Sequence, residues 1–214
     1  MPQILKIDAD HSAEDIIGSA AAIISRGGVI AYPTETIYGL GADATNEQAV
    51  RRIFGIKGRN FNNPVSIIIG SRGDVDPLVA GVPKTAQKLM DAFWPGPLTI
   101  VFEASPSVSE LLTAGSGKIG IRLSGHSGAR EISRKAGKPL TATSANLSGE
   151  PECADAGEVI RQLGDKIDAV LDLGNTAKQI ASTLIDVTLY PPVILRTGAI
   201  TYEDILQKTG MVVR

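Results

Sequence analysis

Strand-length apolar runs that alternate with capped helical segments narrow what this chain can fold into more than any other feature. The runs fall at 4–7, 29–32, 65–69, 98–102, 118–123, 139–143, 169–173, 182–187 and 192–195. Between them, Ser12 with Asp15 reads as a capping box whose helix closes at Gly27 and Gly28. Thr45 and Asn46 offer caps to a second helix running through Val50, Ile53 and Phe54. Pro83 opens a third, with Ala86, Leu89, Met90 and Phe93 on one side. Further helices are expected over 107–112 and 127–136, after Asp155 and after Thr201. Such alternation predicts an α/β protein with flanking helices, as a single domain over residues 1–214. Several strand-to-strand connections are too short for right-handed helical crossovers, so the sheet is expected to be mixed and twisted.

Composition bounds the function classes. A formal charge of -2 argues against a surface that grips nucleic acid everywhere, yet leaves room for a local basic cleft. The single cysteine, Cys153, has no internal partner for a disulfide, which predicts a reducing, cytoplasmic setting. It reads as a bystander in a polar loop. No apolar run approaches the ~20 residues of a membrane span, and residues 1–7 lack a signal-peptide core, so no membrane partner is expected. His11 and His126 lie far apart with no cysteine or carboxylate at ligand spacing. They read as solvated or capping residues, and no protein metal site is predicted. Gly115 to Lys118 is too short for a phosphate loop, and the glycines at 39 and 41 are offset from their strand by Pro33.

Function is predicted to centre on residues 32–41, which follow a buried-strand run and so emerge at a strand end, where open α/β sheets bind ligands. With Pro33 at its start and Gly39 and Gly41 at its end, the stretch reads locally as a tight loop. The helix after Asn46 delivers Lys57 and Arg59 at its C-terminal end, where cations complement the helix dipole and Gly55 and Gly58 leave room for a polyanion. Arg122, the loop carrying Ser144 and Asn146, and Ser182 and Thr183 with Arg196 repeat the pattern. Each is a cation or small polar group at an element's end, and each alone is equally explained by a surface ion pair or a turn. Should the ends converge, they would line a cavity suited to phosphates and carboxylates, which guanidinium groups hold in bidentate fashion.

Residues 32–41, Lys57-x-Arg59, Asn63-Pro64, residues 94–99 from Trp94 to Thr99, Ile121-Arg122, residues 143–149, Ser182-Thr183 with Asp186, and Leu195-Arg196-x-Gly198 together resemble the threonylcarbamoyl-AMP synthase (YrdC-like) family. The resemblance runs from about residue 27 to 198. It implies a twisted α/β sheet enclosing a large, cationic cavity. It also implies a nucleotidyltransferase that joins L-threonine, bicarbonate and ATP into threonylcarbamoyl-AMP, releasing pyrophosphate, for threonylcarbamoyladenosine modification of tRNA. Carried over by position, the ATP site comprises Lys57, Arg59, Asn63, Ser144, Asn146 and Arg196. The threonine site comprises Thr34, Thr36, Arg122, Ser182 and the main chain at Ala142. Lys57, Arg59 and Arg122 would supply the catalytic charge. No protein nucleophile is needed, and Mg²⁺ would be held mainly by the phosphates. The implied partners are tRNA and a complex that transfers threonylcarbamoyl groups to it. Longer members carry an extra C-terminal domain, which these residues are not expected to contain.

The chain departs from the family pattern at four places. Asn60 and Ser124 replace prolines, Ile68 replaces a histidine expected near threonine, and Gln179-Ile180-Ala181 replaces a segment with glycine and an acidic residue. Two alternatives therefore stay open: a divergent paralogue acting on another carbamate or carbamoyl adenylate, and a non-catalytic module for tRNA or double-stranded RNA. An aromatic content of 4% leaves the second few stacking platforms.

Overall fold

The computed structural model describes residues 1–9, 11–173 and 180–214. Gln179, one of the departures noted above, lies outside them. Along the described chain run β1 (Gln3–Lys6), α1 (Ala13–Ser25), β2 (Ile30–Tyr32), β3 (Gly39–Gly41), α2 (Glu47–Lys57), β4 (Ser66–Ile68), α3 (Lys84–Phe93), β5 (Leu98–Glu103) and α4 (Glu110–Thr113). There follow β6 (Lys118–Arg122), α5 (Ser127–Ala136), β7 (Leu140–Ser144), α6 (Ala156–Leu163), β8 (Ala169–Asp172), β9 (Thr183–Asp186), β10 (Val193–Arg196) and α7 (Tyr202–Thr209).

Capping chemistry sets where several helices start. Reciprocal bonds between Ser12 and Asp15 open α1, and the same box of Thr201 and Asp204 opens α7. The Asn46 side chain accepts from the Gln48 and Ala49 amides at the head of α2. Ala86, Leu89, Met90 and Phe93 are all buried, as their spacing predicts. Each large apolar side chain fully buried in this way stabilises the fold by about 1.5–3 kcal/mol.

The ten strands form one sheet in the order β1-β8-β2-β3-β7-β4-β6-β5-β9-β10. It is mixed, as the short connections predict: β8 pairs in parallel with β1 and β2, β4 with β6, and β5 with β9, while the remaining pairs are antiparallel. Among the described residues, no helix is long and apolar enough to cross a membrane.

Two local expectations need correction. Residues 39–41, read as the close of a loop, are strand β3, paired antiparallel to β2 with Tyr32 opposite Gly39. The cause is the Tyr32 ring, which lies across the glycines: a Cβ at Gly41 would sit 2.5 Å from a ring carbon. Cys153 is not in a solvated polar loop. It is 1% exposed and packs with Tyr38, Leu40, Ala145 and Val159.

Candidate active site

Alternation along neighbouring strands places the site. Ser66 pairs with Ala142, and Ile68 with Arg122, so these side chains share one face of the sheet's centre, with Ser144 two residues beyond Ala142. Above that face opens a cavity of about 200 Å³. Its rim and floor include Thr34, Thr36, Arg59, Arg122, Ala142, Ser144, Ser182 and Arg196. Side chains from positions 34 to 196 therefore meet in one hollow, and three of them are arginines. Glu152 is the one carboxylate residue lining the cavity among the described residues.

Lys57 and Arg59 leave the same helix end in different directions. Gly58 takes φ 60 and closes α2. Lys57 is 3% exposed, and its ammonium donates to Ser144 O at 2.5 Å, Asn146 O at 2.7 Å and Asn146 Oδ1 at 2.9 Å. Ser144 Oγ donates to the same amide oxygen at 2.6 Å, and Asn146 Nδ2 donates to Glu150 O. Burial, with Arg59 nearby, pulls the Lys57 ammonium down to about 8. Lys57 and Asn146 thus brace the loop that presents Ser144 and do not themselves line the cavity. Arg59 lines it. Its terminal nitrogens donate to Pro64 O at 2.9 Å and to Thr143 Oγ1 at 3.4 Å, while its buried Nε has no partner among the described residues.

Arg122 also lines the cavity and is 6% exposed. Its Nη2 donates to Thr36 Oγ1 at 3.1 Å and lies 2.8 Å from Glu35 Oε1. Thr34 Oγ1 is 2.8 Å from Thr36 Oγ1 and donates to Ile37 O at 2.7 Å. Burial would raise the Glu35 carboxyl. The Arg122 guanidinium and donors from Ser124 and Gly125 outweigh it and hold the group at about 2. Arg196 donates through Nε and Nη2 to Ser182 O, at 3.2 and 2.9 Å, and Ser182 Oγ lies 2.8 Å from Thr99 Oγ1.

Most predicted site residues meet here, and three do not line the cavity: Lys57 and Asn146, which brace its wall, and Asn63. Asn63 is exposed beside Pro64 and off the lining. His126 is half-buried rather than solvated. It occupies the residue before α5, yet its side chain makes no capping bond and its Nδ1 is buried without a partner. His11 is exposed beside Asp8, as expected. The sequence motifs include Glu35, Ser66 and Thr99 but assign none of them, nor Glu152, a place in the site. Glu35 stands inside the most informative motif, but its partners are some 90 residues away. The apolar substitute Ile68 lies on the lining, 1% exposed and paired with Arg122.

A family model described as telomere recombination, covering the Sua5, YciO and YrdC proteins, matches residues 22–198. The chain belongs to the Sua5/YciO/YrdC family. A family relative in Pyrococcus abyssi, called threonylcarbamoyl-AMP synthase, is 40% identical over 89% of this chain and 56% of its own length. One of the same name in Bacillus subtilis is 40% identical over 88% of this chain and 55% of its own. The chain thus spans about half the length of these curated relatives. Among solved family structures, that of P. abyssi Sua5 complexed with L-threonine superposes with a TM-score of 0.93 at 36% identity, over 100% of this chain and 62% of that one. E. coli YciO, with a TM-score of 0.85 at 26% identity, matches 95% of this chain and 99% of its own.

Proposed function

We propose that this protein condenses L-threonine, bicarbonate and ATP into threonylcarbamoyl-AMP, releasing pyrophosphate. The observation that carries the proposal is the convergence of Arg59, Arg122 and Arg196 with Thr34, Thr36, Ser144 and Ser182 around one cavity. The cavity is then a cationic site. It is shaped for a carboxylate at the Arg122 wall and for phosphates between Arg59 and Arg196.

In this reading threonine's amine adds to bicarbonate with loss of water, and the resulting carbamate oxygen attacks the α-phosphorus of ATP. The bond to the β-phosphate bridging oxygen breaks, and pyrophosphate departs with its electron pair. The carbamate is its own nucleophile, so the protein contributes position and fixed charge. Arg122 holds the threonine carboxylate, and the Thr34 and Thr36 hydroxyls border it. Arg59 and Arg196 offset the charge of two anions brought together, an effect worth several kcal/mol, on the order of 3, in a site closed to water. Ser144, braced by Lys57, faces the nucleotide. Buried Cys153, whose thiol burial pushes up to about 11, has no part in it.

A Mg²⁺ ion fits this lining as a phosphate-held species, with Glu152 as its nearest candidate protein ligand, since such ions keep waters and need few carboxylates. It would neutralise phosphate charge. The product would pass to a complex that modifies tRNA, which sets the reaction in the cytoplasm.

Pyrophosphate release with Mg²⁺ and ATP tests the reading. It is expected to require both bicarbonate and threonine, and to fall at least 100-fold in Arg59→Ala. Release that is indifferent to threonine overturns the substrate assignment. A panel of other amino acids and carbamoyl phosphate then reads out the divergent paralogue that Ile68 suggests, while retained RNA binding without turnover supports a binding module.

A further inference from the structure

The proposed reaction gives no task to Glu35, although it lies between the two threonines of the site. Its carboxylate is fully engaged. Oε1 lies 2.8 Å from Arg122 Nη2 and accepts from the Gly125 amide at 2.8 Å. Oε2 accepts from Ser124 Oγ at 2.5 Å and from the His126 amide at 3.3 Å. One side chain therefore joins three things: the loop after β2, the guanidinium at the end of β6, and the turn leading into α5. The Ser124 hydroxyl in this knot belongs to a departure from the family pattern, and the expected proline could not donate such a bond.

The consequence for Arg122 follows from guanidinium geometry. Five donors lie in one plane, so what a ligand meets is decided by the edge the protein occupies. Glu35 and Thr36 both take Nη2, and no described residue accepts from Nε. With Nη2 engaged from the protein side, the plane is fixed and the Nη1 donors are left for an anion. A free arginine would instead have to freeze its long side chain on binding, a cost of about 2 kcal/mol of rotamer entropy.

We propose that Glu35 is a positioning residue for the amino-acid carboxylate, locking the Arg122 guanidinium in one orientation through a knot that Ser124 completes, a role that rests on threonine binding at Arg122. Arg122 remains the group that touches substrate, and Glu35 acts through it.

Two variants test this. Glu35→Gln removes the charge and sets an amide donor against donors. Ser124→Ala leaves the carboxylate in place and removes only the hydroxyl. In ligand-free wild type, ¹⁵N spectra are expected to show separate, slowly exchanging Nη signals for Arg122, merged in Glu35→Gln. In turnover, Glu35→Gln is expected to raise the threonine KM about 30-fold and the ATP KM less than about 3-fold, since a hydrogen bond to a charged group is lost on one side only. Ser124→Ala should raise the threonine KM about 3- to 10-fold. Unchanged Arg122 signals in Glu35→Gln, or equal shifts of both KM values, overturn the proposal. If Glu35→Gln does not fold, Ser124→Ala decides by the same KM split, and an unmoved threonine KM there overturns it. Wild-type protein with no threonine-dependent turnover refutes the reaction instead, while the ¹⁵N spectra still decide the orientation.

Discussion

Lys57→Met separates a brace from a ligand-binding cation. The thioether keeps the length of the side chain and fills its channel, but it cannot donate to Ser144 O, Asn146 O or Asn146 Oδ1. Each hydrogen bond from a charged donor contributes about 1.5–3 kcal/mol, and removing the donor leaves buried acceptors unpaired. Against this stands the desolvation cost of the ammonium, visible in its depressed pKa, which the variant recovers. The net loss is about 2–4 kcal/mol, which in a chain of this size lowers Tm by about 6–12 °C. Urea unfolding at pH 7 measures the loss, and calorimetric titration with ATP measures the consequence for Ser144. Arg59→Ala should show the opposite profile, with about 1 kcal/mol lost from one carbonyl bond and one long hydroxyl bond and ATP affinity down about 100-fold. If Lys57→Met stays within about 1 kcal/mol of wild type and loses ATP binding as completely as Arg59→Ala, its ammonium faces the nucleotide and the bracing role is wrong.

Glu35 gives the fold an acid-sensitive component: its folded pKa of about 2 lies below the ordinary 4.5, so the unfolded chain binds the proton first. That stability is fully present above pH 5 and lost as pH falls toward 2; it amounts to about 2–3 kcal/mol after allowance for partial exposure, and Glu35→Gln should flatten urea midpoints across that window. Gly198→Ala would drive a Cβ to 2.2 Å from Ala181 O and 2.5 Å from Ser182 C, so it should cost about 1–3 kcal/mol, measured by thermal melting, and weaken both ligands by shifting Ser182. Cys153 should resist iodoacetamide at pH 8 in the native protein and react fully in urea, followed by mass spectrometry.

What was legible in the sequence is what local physics decides. The capping boxes at Ser12 and Thr201 need only residues three apart, and the buried stripe of α3 needs only helical spacing. The mixed sheet follows from connection lengths. Strand β3 was not legible, because Gly39-Leu40-Gly41 has no strand propensity of its own and forms where the Tyr32 ring covers two glycines. Cys153 was misread for the same reason: its neighbours are polar in sequence, while its packing partners Tyr38, Leu40 and Val159 come from elsewhere.

The site divides along the same line, and the chemistry of its cations explains the division. Sequence put Lys57 and Arg59 at one helix end as equivalent phosphate binders. A compact ammonium with three donors is saturated by three oxygens converging on a point, and the loop at 144–146 supplies them. A planar guanidinium with five donors is far harder to saturate from inside a protein. Arg59 and Arg122 each bond to the protein through terminal nitrogens and keep a buried Nε without a partner. Within a single Lys-x-Arg pair, then, the lysine is consumed by the fold and the arginine lines the cavity. The same reasoning makes Arg59 the residue whose loss should affect ligands more than stability, and Lys57 the one whose loss should affect stability first, while loss of Arg122 should affect both because it also strands the Glu35 carboxylate.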